Sequence, residues 1–254
     1  MKQRVISGVF IALITVVAAY FGGIILDAVL CFIGIYGSYE FIKIRKDTFN
    51  VLLYAIMVLT VMGIFVLHKY AVALCLLEIL ILMSVAVFDE KETFEDACAV
   101  LLMSMMIGYA IYFMRDFQHT NKFMFGYVLI ISYLTDVFAY FVGVKFGKHK
   151  LNPRVSPKKT IEGSLGGWFF GCITSFIWAA LFHFFDMPMY FFVISSLFLP
   201  VVSEIGDLAF SLIKRHYGVK DFSNLIPGHG GILDRLDSHI VCIILFGVLL
   251  LIFA

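Results

Sequence analysis

Apolar runs of about 20 residues, the length a helix needs to cross the hydrocarbon of a bilayer, succeed one another along this chain with only brief polar breaks. In lipid, backbone N–H and C=O groups must be satisfied inside the protein, so such runs are workable only as helices. Counting them gives about nine spans, near residues 5–21, 23–42, 51–67, 70–88, 97–114, 123–143, 164–185, 189–212 and 237–254. The expected fold is all-α, a polytopic membrane helix bundle. Of the 254 residues, 62% are hydrophobic and 15% charged. A soluble domain carries about a quarter charged residues, and no soluble core could absorb the excess. Gly22-Gly23 alone separates the first two runs, so a tight turn is expected there.

Met1-Lys2-Gln3-Arg4 ahead of the first run could open a signal peptide, but Ala18-Ala19-Tyr20 is a poor cleavage context, and a retained span is the better reading. The cysteines (Cys31, Cys75, Cys98, Cys172, Cys242) stand singly in apolar surroundings without CxxC spacing. They read as small core or lipid-facing residues, which excludes a disulfide-stapled fold and weighs against a thiolate metal site.

Lys and Arg in short loops set orientation. With the N-terminus in the cytoplasm, only Lys69, Arg115 and Lys122 of the 19 Lys and Arg fall on the far side. That places the N-terminus inside and the C-terminus outside. Residues 1–122 then form an N-terminal region of about five spans, its acidic stretch Asp89–Asp96 read as a solvated turn. Residues 123–254 carry two long cytoplasmic connectors, 144–163 and 213–236, and read as the catalytic region.

Ionisable groups within spans are costly and are functional candidates by default. Glu204, Asp207, Ser211 and Arg215 recur at i, i+3, i+7 and i+11, one stripe of a helix. They form either a polar seam between helices or part of a site. Pro227-Gly228-His229-Gly230-Gly231 cannot be regular helix. Such a loop lets backbone N–H groups approach an anion, and it leads into the last span, whose N-terminal dipole end also favours phosphate. His229 is as readily a loop-packing residue as a phosphate contact. Asp234 and Asp237, i and i+3 beside Arg235, are either helix-start carboxylates or ligands of a divalent cation. Oxygen ligands favour Mg²⁺, which commonly takes one or two carboxylates plus substrate phosphates.

Asp136 lies within the sixth run, ahead of Gly143 and Gly147, a small-xxx-small step suited to close helix packing. The connector after it is basic, through Lys148, Lys150 and Arg154 to Ser156-Pro157-Lys158-Lys159-Thr160. It serves either the positive-inside rule and anionic lipid or a polyphosphate, which two ammoniums flanked by hydroxyls would suit. Carboxylates for a metal, cations for phosphate and a glycine loop beside a bilayer form an inventory for phosphoryl chemistry, which relies on positioning and charge stabilisation.

The run Ser211-Leu212-Ile213-Lys214-Arg215, Lys220-Asp221, Pro227 to Gly231 and Asp234-Arg235-Leu236-Asp237 resembles the signature of phosphatidate cytidylyltransferases, with its spacings intact. Ser156 to Thr160 with Glu162-Gly163, and Asp136 with Ala139-Tyr140 and Gly143, fit the same family. The first half of the chain agrees only in hydrophobicity and length. The resemblance implies that CTP and phosphatidate give CDP-diacylglycerol and pyrophosphate in phospholipid biosynthesis, with Mg²⁺ held at Asp207 and Asp234. It further implies a homodimer in a bacterial inner membrane, an active site facing the cytoplasm, a K⁺ ion in addition, and no nucleic-acid partner. Asp207, Asp234, Asp237, Lys214 and Arg215 are then the catalytic candidates. Ser156, Lys158, Lys159, Thr160, Ser211, His229, Gly230, Gly231 and Arg235 are the substrate-binding ones, with Asp136, Glu204, Lys220 and Asp221 as further candidates. A CTP-dependent lipid kinase or a cytidylyltransferase acting on another lipid phosphate would use the same inventory. An ion-coupled transporter fits less well, since no internal repeat is visible.

Overall fold

The structure, a computed structural model, describes residues 2–45, 49–182, 187–226, 228 and 230–253, with backbone alone for residues 2–7. Among the described residues there are nine α-helices: α1 (Lys2–Phe21), α2 (Gly23–Arg45), α3 (Val51–Val66), α4 (Ala71–Phe88), α5 (Phe94–Thr120), α6 (Lys122–Phe146), α7 (Ile161–Phe182), α8 (Met189–His216) and α9 (Leu233–Phe253). Each falls on one of the expected runs. Seven are long and apolar enough to cross a membrane, α4 together with the 3₁₀ turn His68–Tyr70 that leads into it; the apolar stretches Gly8–Phe21 and Val51–Val66 are shorter. The protein is an integral membrane helix bundle. Two departures from the all-helical expectation lie in the 144–163 connector. It holds an antiparallel hairpin, β1 (Lys150–Asn152) and β2 (Ser156–Thr160), and its last residues already belong to α7. All five cysteines are free.

The chain divides into two compact units, residues 1–116 with 221–234, and residues 117–220 with 235–254. In the first unit, Gly22 and Gly23 take φ of 60° and 51°, the left-handed conformation that makes the tight α1–α2 turn possible. Asn50 caps α3 by accepting from Leu53 N–H at 3.2 Å. Leu30, Phe41, Met57, Val61 and Ile64 are fully buried.

In the acidic stretch Asp89–Asp96 the turn at Glu90 and Lys91 is exposed as expected, but Glu92 and Asp96 are buried. Arg45, at the end of α2, reaches Glu92 Oε2 at 2.8 Å and Asp96 Oδ1 at 2.9 Å, and Asn50 Nδ2 donates to Glu92 Oε1 at 2.8 Å. Nη2 of Arg45 meets both carboxylates, so these buried charges are paired with one another.

In the second unit, Asn121 caps α6 by accepting from Phe123 N–H at 2.9 Å. Helix α7 packs against α6 along a glycine stripe, Gly163, Gly167 and Gly171, spaced one turn apart. A Cβ on Gly163 would lie 2.7 Å from Ala139 O, and one on Gly167 would lie 2.8 Å from both Ala139 Cβ and Thr135 O. Only hydrogen fits there, which is how small residues let membrane helices approach closely. Gly167 matters for chemistry as well, because the same Cβ would sit 2.8 Å from Glu204 Oε1. Gly167→Val is expected to force α7 away from α6, at a cost of about 1–3 kcal/mol. A lowered thermal unfolding midpoint in detergent, relative to an exposed α7 change such as Leu165→Ala, is the check.

Candidate active site

Four elements of the second unit converge ionisable groups. Helix α6 supplies Asp136, β2 supplies Lys159, α8 supplies Glu204, Asp207, Ser211 and Lys214, and α9 supplies Asp237 and Ser238. Lys159 Nζ lies 2.7 Å from Asp207 Oδ2. Ser211 Oγ donates to Asp207 Oδ1 at 3.4 Å, and Ser238 Oγ donates to Asp136 Oδ2 at 2.9 Å. Asp136 and Glu204 both act electrostatically on Lys159, while Asp207, Lys214 and Asp136 act on Asp237. Helix α9 can come this close because Gly206 faces it. A Cβ there would stand 3.0 Å from Asp237 O and 3.2 Å from Ser238 Cα.

Burial alone would strip the proton from Lys159. Its pKa is nevertheless raised, because the charge and hydrogen bond of Asp207, then the charges of Asp136 and Glu204, outweigh desolvation. Four carboxyl groups (Asp136, Glu204, Asp207, Asp237) face two ammonium groups (Lys159, Lys214), so acidic groups outnumber the cations in the cluster. Glu204 Oε1 is buried without a hydrogen-bond partner among the described residues. Such a donor set fits a divalent cation with oxygen ligands. Among the described residues, no three His, Cys, Asp or Glu side chains form a ready-made metal cage.

The expected stripe on α8 is partly realised. Glu204, Asp207 and Ser211 line the cluster, but Arg215 is exposed and donates from Nη1 to Val219 O at 2.9 Å. It helps stop the helix: Gly218, at φ 70°, donates to Arg215 O and Val219 N–H donates to Lys214 O, the double hydrogen bond of a Schellman end. In the hairpin, Lys158 is exposed while Lys159 turns inward, and Ser156 is half-buried. Buried Thr160 accepts from Gly163 N–H at 3.2 Å, joining β2 to α7. Lys220, Asp221 and Arg235 are exposed. His229 and Pro227 lie outside the described residues.

Asp234 belongs to the first unit. Asp234 is buried, and its Oδ2 accepts from Phe222 N–H at 2.7 Å and from Gly231 N–H at 2.9 Å. Gly230, at φ 84°, lies against it, where a Cβ would sit 2.7 Å from Oδ2. In the same unit, Glu40 on α2 accepts from Ile232 N–H and Leu233 N–H, both at 2.9 Å, and from Ser223 Oγ at 2.6 Å. Glu40 thus occupies the first amide of α9, and the two carboxylates together hold the amides of Gly231, Ile232 and Leu233 at its entry. Reading the sequence overlooked Glu40, although an ionisable residue inside an apolar run was signal enough. Ser238 was overlooked as well, and a lone serine in a span carries no comparable signal.

A profile of the Cytidylyltransferase family matches residues 2–253. The chain belongs to this family. It is 30% identical over 254 residues to the phosphatidate cytidylyltransferase of Bacillus subtilis, covering 94% of each chain. It is 37% identical over 174 residues to that of Staphylococcus aureus, covering 67% of this chain and 66% of that one. Against the Staphylococcus saprophyticus protein of the same name, identity is 34% over 172 residues, again covering 67% and 66%. For a cytidylyltransferase the carboxylate cluster has a ready use, since a nucleoside triphosphate is a polyanion that binds carboxylates through a metal.

The Lys159–Asp207 pair gives this family member a testable pH signature. A raised lysine pKa stabilises the fold fully below the unfolded value, about 10.4, and the contribution is lost as pH rises through the higher folded value. Lys159→Met is expected to cost roughly 1–3 kcal/mol, below the usual range for a broken buried pair because both side chains keep some solvent contact. Lys158→Ala is expected to stay within about 0.5 kcal/mol. Unfolding midpoints in detergent should show the Lys159→Met deficit constant from about pH 6 to 9 and shrinking above about pH 10.5.

Proposed function

We propose that this chain transfers the cytidylyl group of CTP to phosphatidate, forming CDP-diacylglycerol and releasing pyrophosphate. The observation that carries this reading is the cluster of Asp136, Glu204, Asp207 and Asp237 around Lys159. It is a surplus of carboxylate on helices long enough to sit in lipid, in a chain alignable end to end with a phosphatidate cytidylyltransferase.

An oxygen of the phosphatidate phosphate attacks the α-phosphorus of CTP. The new P–O bond forms as the bond to the β-phosphate oxygen breaks, and pyrophosphate leaves with that oxygen. The attacking phosphate is already anionic at neutral pH, so no general base is required. Bound Mg²⁺ supplies neutralisation of the charge that develops on the leaving group. Asp207, with Asp136, Glu204 and Asp237 behind it, offers oxygen ligands for this ion, and Asp234 remains the second ligand we propose. Lys159 holds Asp207 in place. Lys158, Lys220 and Arg235 are exposed cations able to meet phosphate oxygens, and Lys214 balances charge near Asp237. A K⁺ ion alongside Mg²⁺, a homodimeric assembly and a cytoplasm-facing site in a bacterial inner membrane complete the proposal. The skew of Lys and Arg across the loops supports the orientation.

Detergent-purified protein given phosphatidate, Mg²⁺ and CTP, labelled either in the cytosine ring or at the γ-phosphate, tests the reading. Ring label is expected in the lipid and γ-label in pyrophosphate, with neither result in EDTA. Entry of γ-label into lipid would establish a kinase instead. Asp234→Asn keeps a carbonyl oxygen able to accept from Phe222 and Gly231 but removes the charge. It should lower ring-label transfer by about 10²-fold or more without shifting the unfolding midpoint appreciably. Near-normal turnover would remove Asp234 from the metal site.

A further inference from the structure

Segment 221–234 crosses back on itself, and two carboxylates hold the crossing. Asp234 Oδ2 joins Phe222 N–H to Gly231 N–H. Glu40 joins the same two stretches from outside: Oε1 accepts from Ser223 Oγ and from Ile232 N–H, and Oε2 accepts from Leu233 N–H. Between them the turn is closed by Ile226 N–H donating to Gly230 O at 2.9 Å. Glu40 is fully buried on α2 and lies about two hundred positions from its partners in the chain. Fit around it is close. A Cβ on Gly231 would lie 2.6 Å from Glu40 Cδ, and one on Gly37, a turn earlier on α2, would lie 3.2 Å from Leu233 Cδ2.

A buried carboxylate is costly unless its oxygens are satisfied. Glu40 is satisfied by three donors, among them the first amide of α9, Leu233, and that of Ile232 just before it, where the helix dipole also favours negative charge. This arrangement fixes the backbone at Ile232 and Leu233, and with it the backbone that carries Asp234. We infer that Glu40 is a positioning residue for the transfer reaction, acting on the glycine loop and on Asp234 rather than on substrate. The inference rests on the proposed function for its kinetic part and on geometry alone for its structural part.

The experiment compares Glu40→Gln, Glu40→Asp and Ser223→Ala with wild type in detergent. Activity is expressed per folded molecule, and backbone hydrogen exchange is followed over residues 221–234. Glutamine has one acceptor oxygen and sets an NH₂ against donors, so Ile232 or Leu233 loses its partner. Faster exchange confined to that segment is expected, with kcat lower by about 10- to 100-fold and KM for CTP and for phosphatidate within about threefold. Glu40→Asp keeps the charge on a shorter arm and should fall between Gln and wild type. Ser223→Ala removes one donor and should lower kcat by about two- to fivefold. Ser38→Ala, on the same helix but bonded within it, should leave kcat unchanged. Wild-type kcat in folded Glu40→Gln, or exchange that does not change at Ile232 and Leu233, would overturn the inference. If Glu40→Gln does not fold, an unchanged kcat in Ser223→Ala overturns it instead. Should wild type transfer no cytidylyl group, the proposed function fails while the exchange data still decide whether Glu40 holds the loop.

Discussion

Charge taken out of water must be compensated by the protein itself, and this chain places its charges where lipid offers nothing in exchange. Each buried ionic group examined in the two units answers that demand by a different device. Arg45 spreads its guanidinium over Glu92 and Asp96. Glu40 gathers amides and a hydroxyl. Buried Glu78 on α4 takes the hydroxyl of Ser104 at 2.5 Å. The carboxyl groups around Lys159 differ from the rest in outnumbering the cations near them.

Glycine makes both arrangements possible through close approach. On α7, Gly167 lets the helix lie against Thr135 O and Ala139 while Glu204 occupies the space a side chain would need. At the entry to α9, Gly231 gives room to the carboxylate of Glu40. In each case the missing Cβ is replaced by an acidic oxygen, so packing and electrostatics are settled by the same residue. The hairpin 150–160 works differently: its strand carries Lys159 inward to Asp207 and leaves Lys158 outside, dividing two neighbouring lysines between structure and solvent.

The helices were legible in the sequence because lipid imposes one requirement, an uninterrupted apolar run of sufficient length, and that requirement is local. Asp136, Glu204 and Asp207 were legible for the same reason, as costly residues inside such runs. Less was visible where partners are distant. Nothing near Glu92 and Asp96 announces Arg45, so an acidic stretch looked solvated. A helical stripe suggested that Arg215 shares a direction with Asp207, but the Schellman end turns its guanidinium back to Val219 O. A basic connector looked irregular because three- and five-residue strands give too short a pattern to read.

The sequence by itself determined that the chain is a membrane helix bundle, where its helices run, and that its second half carries the family's acidic and basic signature. All of these depend on composition and spacing within a window of a few turns. Only the tertiary structure decided which charges are neutralised and which are left over. It assigned Lys159 to Asp207, gave the amides at the entry to α9 to Glu40 and Asp234, and set Arg215 to ending a helix. Those assignments depend on distances of a few ångströms between residues far apart in the chain, and Coulomb and hydrogen-bond energies fall off over that same range.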